Sequence, residues 1–82
     1  MAMKLRISFY AEPSDAHPHI LANPTGNFES LKDARETAFE DANKPDMRAH
    51  SIIIETVDDG SVEERWVRDG ASETFVESGR PA

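Results

Sequence analysis

Polar and apolar positions alternate from Lys4 to Ala11, with Leu5, Ile7, Phe9 and Ala11 on one side and Lys4, Arg6, Ser8 and Tyr10 on the other. A period of two predicts a strand with one buried face. The alternation then lapses: Glu12 to Pro18 carries two prolines among small polar residues and predicts a loop. His19 to Ala22 predicts a short second strand, and Asn23-Pro24-Thr25-Gly26-Asn27 a turn. From Leu31 the spacing becomes helical. Leu31, Ala34, Ala38 and Ala42 fall within about 80° of arc, with Phe39 beside them and Lys32, Asp33, Glu36 and Glu40 outside. Ser30 is placed as N-cap with Asp33 in the capping-box position, and Pro45 stops the helix after about Asn43. The alanine stripe predicts close seating on a sheet.

His50 to Asp69 carries the strongest strand signal. A β-branched run, Ser51 to Val57, and a second apolar-dotted run, Val62 to Arg68, flank Asp58-Asp59-Gly60, the pattern of a hairpin. A loop of Asp59-Gly60 alone would set Glu55 opposite Glu64 on the apolar face, an unfavourable pair. A three-residue loop with Gly60 in a left-handed bulge instead pairs Thr56 with Val62, Ile54 with Glu64 and Ile52 with Trp66, and is preferred. It gathers Ile52, Ile54, Val62 and Trp66 on one face with Glu64 as the misfit. Ile53, Glu55, Val57, Glu63, Arg65 and Val67 go to the other.

The expected architecture is α+β: a four-stranded antiparallel sheet of ββαββ plan, strand order 2-1-3-4, with one helix on one face. With 82 residues there is room for one domain. Residues 1–70 are expected to form it, and 71–82 a tail with a short extra strand or turn near Thr74 to Val76. GNFESLKDARETAFEDA followed by SIIIETVDDGSVEERW resembles the helix and Asp-Gly hairpin of small uncharacterised bacterial domains of ββαββ plan, families without an established activity. GNFESLKDARETA is also similar to the helix start of HicB-type antitoxins, whose role is to neutralise a small toxin. The triple-isoleucine hairpin departs from the latter pattern.

Charge changes the functional picture. Sixteen acids against nine Lys or Arg give a net charge of −7, which repels a phosphate backbone and argues against direct nucleic-acid binding. No apolar run approaches the roughly 18 residues of a membrane span, the N-terminus lacks the apolar stretch of a signal peptide, and there is no cysteine for disulfide or thiolate chemistry. A cytoplasmic location is expected.

Candidate chemistry is sparse. His17 and His19, at i and i+2 on extended chain, with His50 and Glu12 or Asp15, compose an arrangement resembling a metal site, and their spacing is nonspecific. Asp58, Asp59, Glu63 and Glu64 crowd the hairpin tip as a weak calcium or magnesium site would, but the EF-hand pattern is absent and Asp is already favoured there by turn bonding. No nucleophile elbow, P-loop, dinucleotide glycine pattern or zincin helix occurs, so neither enzyme activity nor a cofactor is expected. The leading expectation is a noncatalytic protein-binding or regulatory domain, homodimeric or bound to another protein through the open sheet face carrying Tyr10, Ile53, Val57 and Val67. An acidic antitoxin-like or nucleic-acid-mimicking inhibitor is the alternative. A small metal-assisted hydrolase using His17 and His19 ranks third.

Overall fold

The computed structural model describes residues 2–11, 20–70 and 72–77. The alternating N-terminal stretch forms β1 (Met3–Tyr10), with β2 (Ile20–Ala22) and β3 (Thr25–Phe28) on one edge and β4 (Ser51–Thr56) on the other. β5 (Val62–Arg68) and β6 (Phe75–Glu77) continue outward from β4, and all the pairings are antiparallel. The fold is α+β with one helix, α1 (Leu31–Ala42). The sheet, however, has six strands instead of four, and its order, β2-β1-β4-β5-β6 with β3 also on β1, differs from the expected 2-1-3-4.

Both additions arise where the sequence offers turn residues. β3 and the end of β2 meet β1 in one frame, with Phe9 opposite Ala22, Arg6 opposite Thr25 and Met3 opposite Phe28, and an irregularity beyond Phe9 then sets Tyr10 opposite Ile20. Between them the Ile7 N–H donates to the Pro24 carbonyl at 2.9 Å. Proline has no N–H to give, and an outer edge is where a strand tolerates that loss. The stretch predicted as a turn is therefore extended, held by the bonding edge of β1 and not by its own propensity. At the other edge, Gly70 adopts φ 64 and the Asp69 N–H bonds the Thr74 carbonyl at 3.0 Å, folding the chain back as β6.

α1 begins as its sequence predicts, with the Ser30 hydroxyl accepting from the Asp33 N–H at 3.2 Å. Its alanine stripe packs on the central strands. Leu5, Ile7, Phe9, Ile52 and Ile54 from the sheet, Ala34, Ala38 and Ala42 from the helix, and Ala49 from the connector form the buried core. Burial of each large aliphatic or aromatic side chain contributes about 1.5–3 kcal/mol. Trp66, expected on one face with Ile52 and Ile54, is half-buried at the margin of the core they form. Its ring meets Phe39 edge-on at 5.1 Å, and Phe39 stacks on Phe75 at 5.2 Å.

The hairpin reaches its expected pairing by a different route. Ile52 faces Trp66 and Ile54 faces Glu64, but Glu55 faces Val62, so the frame shifts between Ile54 and Glu55. Thr56 bonds Ser61, not Val62, and the Gly60 N–H donates to the Thr56 carbonyl at 3.0 Å, leaving Val57 to Gly60 as the loop. The loop thus has one residue more than predicted, and a bulge beside Glu63 takes up the extra residue of β5. Without that bulge, pairing Thr56 with Ser61 would set Ile54 opposite Glu63 and Ile52 opposite Arg65. Every β5 side chain would change faces. Gly60 has φ 72, the left-handed conformation expected of it.

Candidate binding face

All the described strands belong to one sheet and the single helix lies against one side, so no described helix or strand covers the other side. On that open side one row crosses the whole sheet. Ile20 pairs with Tyr10, Tyr10 with Ser51, Ser51 with Val67 and Val67 with Val76. Its centre is tight, with Ser51 buried, whereas its ends, Ile20 at 50% and Val76 at 48%, stand exposed. The next row carries Ser8, Ile53 and Arg65, and the next Arg6 and Glu55, which approach to 3.7 Å.

Of the residues predicted for this face, Tyr10, Ile53 and Val67 are half-buried within it. Val57 lies in the loop beyond β4, but its N–H donates to the Lys4 carbonyl at 3.3 Å, which continues the β1–β4 pairing and keeps it at that side's far end. Val62, predicted to face the helix, is instead an exposed member of the open side, paired with Glu55. The bulge next to it accounts for the reversal. Ile20 and Val76 extend the patch beyond the prediction. Their signal was weak because each sits in a three-residue strand too short to show alternation.

The covered side of β5 holds two charged residues: Glu64, which the expected register placed there as a misfit, and Arg68, which sequence reasoning missed. Glu64 is buried, and its carboxylate accepts from Arg35 Nε at 3.0 Å and Nη2 at 2.7 Å, while the Trp66 indole N–H donates to it at 2.8 Å. The Arg35 guanidinium also lies 5.4 Å from the Trp66 ring centroid. Hydrogen bonding to Glu64 holds Arg35 above its ordinary pKa. Glu64 is a satisfied partner rather than a misfit.

Arg68 is buried without a carboxylate among its described hydrogen-bond partners. It donates to the Ala49 carbonyl at 3.0 and 2.7 Å, the Ala42 carbonyl at 3.1 Å, the Ser72 carbonyl at 2.6 Å and Asn43 Oδ1 at 2.8 Å, and lies 4.7 Å from the Phe75 ring centroid. Desolvation, with the nearby charge of Arg48, lowers its pKa from the ordinary arginine value. Its cation faces the negative end of the α1 dipole and bonds a carbonyl of the last turn. The spacing Glu64, Trp66, Arg68 was the available signal: one face of a strand carrying two charges, each with its own partners.

His17 and His19 lie outside the described residues, as do Glu12 and Asp15. His50 keeps its backbone in the sheet, and its Nδ1 is buried without a hydrogen-bond partner. Among the described residues no cluster of three His, Asp or Glu is arranged to hold a metal. At the hairpin tip, Asp59 accepts from the Thr56 hydroxyl and, at 3.0 Å, from the Ser61 N–H, and these bonds lower its pKa. The acidic tip is thus bonded as a turn. Among the described residues no helix is long and apolar enough to cross a membrane. No protein family, curated protein or solved structure matches the chain.

Proposed function

We propose that the chain is a noncatalytic protein-binding domain whose contact surface is the open sheet face around Tyr10, Ile53, Val57 and Val67. The observation that carries this reading is the row from Ile20 to Val76, apolar except for buried Ser51, with no described element upon it and both ends exposed. Apolar residues rimmed by Lys4, Arg6, Glu55 and Arg65 have the composition of a modest interface. The covered side favours a structural role for its charges: Arg35 and Trp66 engage Glu64, and backbone carbonyls engage Arg68.

The test compares immobilised wild type with the Ile53→Lys/Val67→Lys variant, both shown to be folded by circular dichroism. Proteins captured from the native cell extract, second copies of the chain included, are identified by mass spectrometry. Loss of specific captured species from the variant is expected. The same set at the same yield on both would overturn the reading.

A further inference from the structure

Resting on that reading, we infer that the occupant of the open face is a second copy of this chain, related by a two-fold axis lying along the row from Ile20 to Val76. The inference comes from what flanks the row on β5. Arg65 stands two residues before Val67 and Asp69 two residues after it, about 7 Å to either side. The Asp69 N–H bond to Thr74 continues the β5–β6 frame one step, so strand alternation assigns Asp69 to the open side with Arg65 and Val67. Both residues are exposed, and neither side chain makes a hydrogen bond or ion pair among the described residues.

A rotation about an axis along the row lays β5 on its own copy, running the opposite way. Val67 meets the second copy's Val67, and Arg65 meets the second copy's Asp69, once on each side of the axis. Two aligned sheets about 10 Å apart are an ordinary sandwich geometry. A two-fold along the strands would instead set β5 over β1 and leave this charge pair unused. An acidic partner would satisfy Arg65 but oppose Asp69, and a basic partner the reverse. A second copy satisfies both. The net charge of −7 per chain opposes association at long range, but salt screens that repulsion beyond about 10 Å at 0.1 M. Five paired positions give a row roughly 20 Å long, which places the contact at the small end of stable interfaces. The dimer should therefore dissociate on dilution.

The experiment is light scattering with sedimentation equilibrium on the full chain across micromolar to millimolar concentrations. Wild type is expected to rise toward twice the 9.1 kDa chain mass. Arg65→Asp alone and Asp69→Arg alone should each stay at the single-chain mass, because each sets like charges against one another. Mixed in equal amounts they should regain the dimer, since one copy then presents two acids to the two arginines of the other. Circular dichroism confirms that each variant is folded. A wild-type monomer throughout, a dimer indifferent to either substitution, or folded variants that fail to associate when mixed would each overturn the inference. A monomer whose Ile53→Lys/Val67→Lys variant still loses a captured protein would overturn the second copy alone and leave the face as a docking surface.

Discussion

β5 shows opposite polarities on its two sides, each set against what its surroundings favour. Toward the helix it presents Glu64 and Arg68, both buried; toward the open side it presents Val67, half-buried, with Val62 and Val76 exposed nearby. The difference teaches that polarity alone does not choose the covered face here. The chain's frame chooses it, and buried charges are tolerated because each has hydrogen-bond partners there.

The largest test of that contrast is removal of Arg68. Arg68→Ala removes the guanidinium from the carbonyls of Ala49, Ser72 and Ala42, of which Ala42 keeps the Ala49 N–H. It should cost about 3–5 kcal/mol in urea unfolding, since several buried acceptors lose their bonds together. Arg68→Lys should recover little, because a single ammonium cannot span the same acceptors. A loss below about 1 kcal/mol would mean that water replaces the guanidinium and that the covered side is less dry than its geometry implies.

Arg35→Ala should cost less, about 1–3 kcal/mol, because the arginine is one-third exposed while its loss leaves buried Glu64 bonded to Trp66. Arg35→Met with Glu64→Leu should lie closer to wild type than either single change. A double-mutant cycle that found simple additivity would break the claim that the two act as one unit.

On the open side, Ile53→Lys and Val67→Lys should each change stability by about 1 kcal/mol or less, since both positions leave a long side chain access to water. Unfolding of either variant under mild conditions would erase the contrast between the sides. Gly60→Ala should cost about 1 kcal/mol from the left-handed backbone alone, because no neighbouring atom lies within 4 Å of the added methyl.

The smallest effect concerns pH. The folded-state pKa of Asp59 is lowered by the Thr56 hydroxyl and the Ser61 N–H, so its contribution is present above the unfolded value near pH 4. It is lost as pH falls through the folded value. Thermal melting between about pH 2 and 6 should show Asp59→Asn losing part of wild type's acid sensitivity, with the two curves converging at the acid end. Parallel curves would remove Asp59 from the account.

Much of the fold was legible where residues chose their own conformation. The β1 alternation, the Ser30 cap, the alanine stripe and the Ile52–Trp66 pairing needed only local preference and one face to bury. The rest depended on partners distant in sequence. Thr25 to Phe28 is a strand because β1 has an edge to fill, and Val62 turns outward because an extra loop residue is absorbed by a bulge. Of the candidate face, Tyr10, Ile53 and Val67 followed from alternation, whereas Ile20 and Val76 had too few neighbours to reveal a period. Glu64 was legible only as a misfit and Arg68 not at all, because the rule that charges face water holds until Arg35 meets the one and carbonyls of the helix end, connector and turn meet the other.

Arg68 also sets a schedule for synthesis. It joins the end of α1, the connector at Ala49 and the turn at Ser72, segments made at different times, through a residue near the end of the described chain. A nascent chain that has emerged only as far as Val67 carries the helix and most of the sheet but lacks the group that ties them together. The tie between the helix end, the connector and the Ser72 turn is therefore completed only after α1 and β1 to β4 have been made.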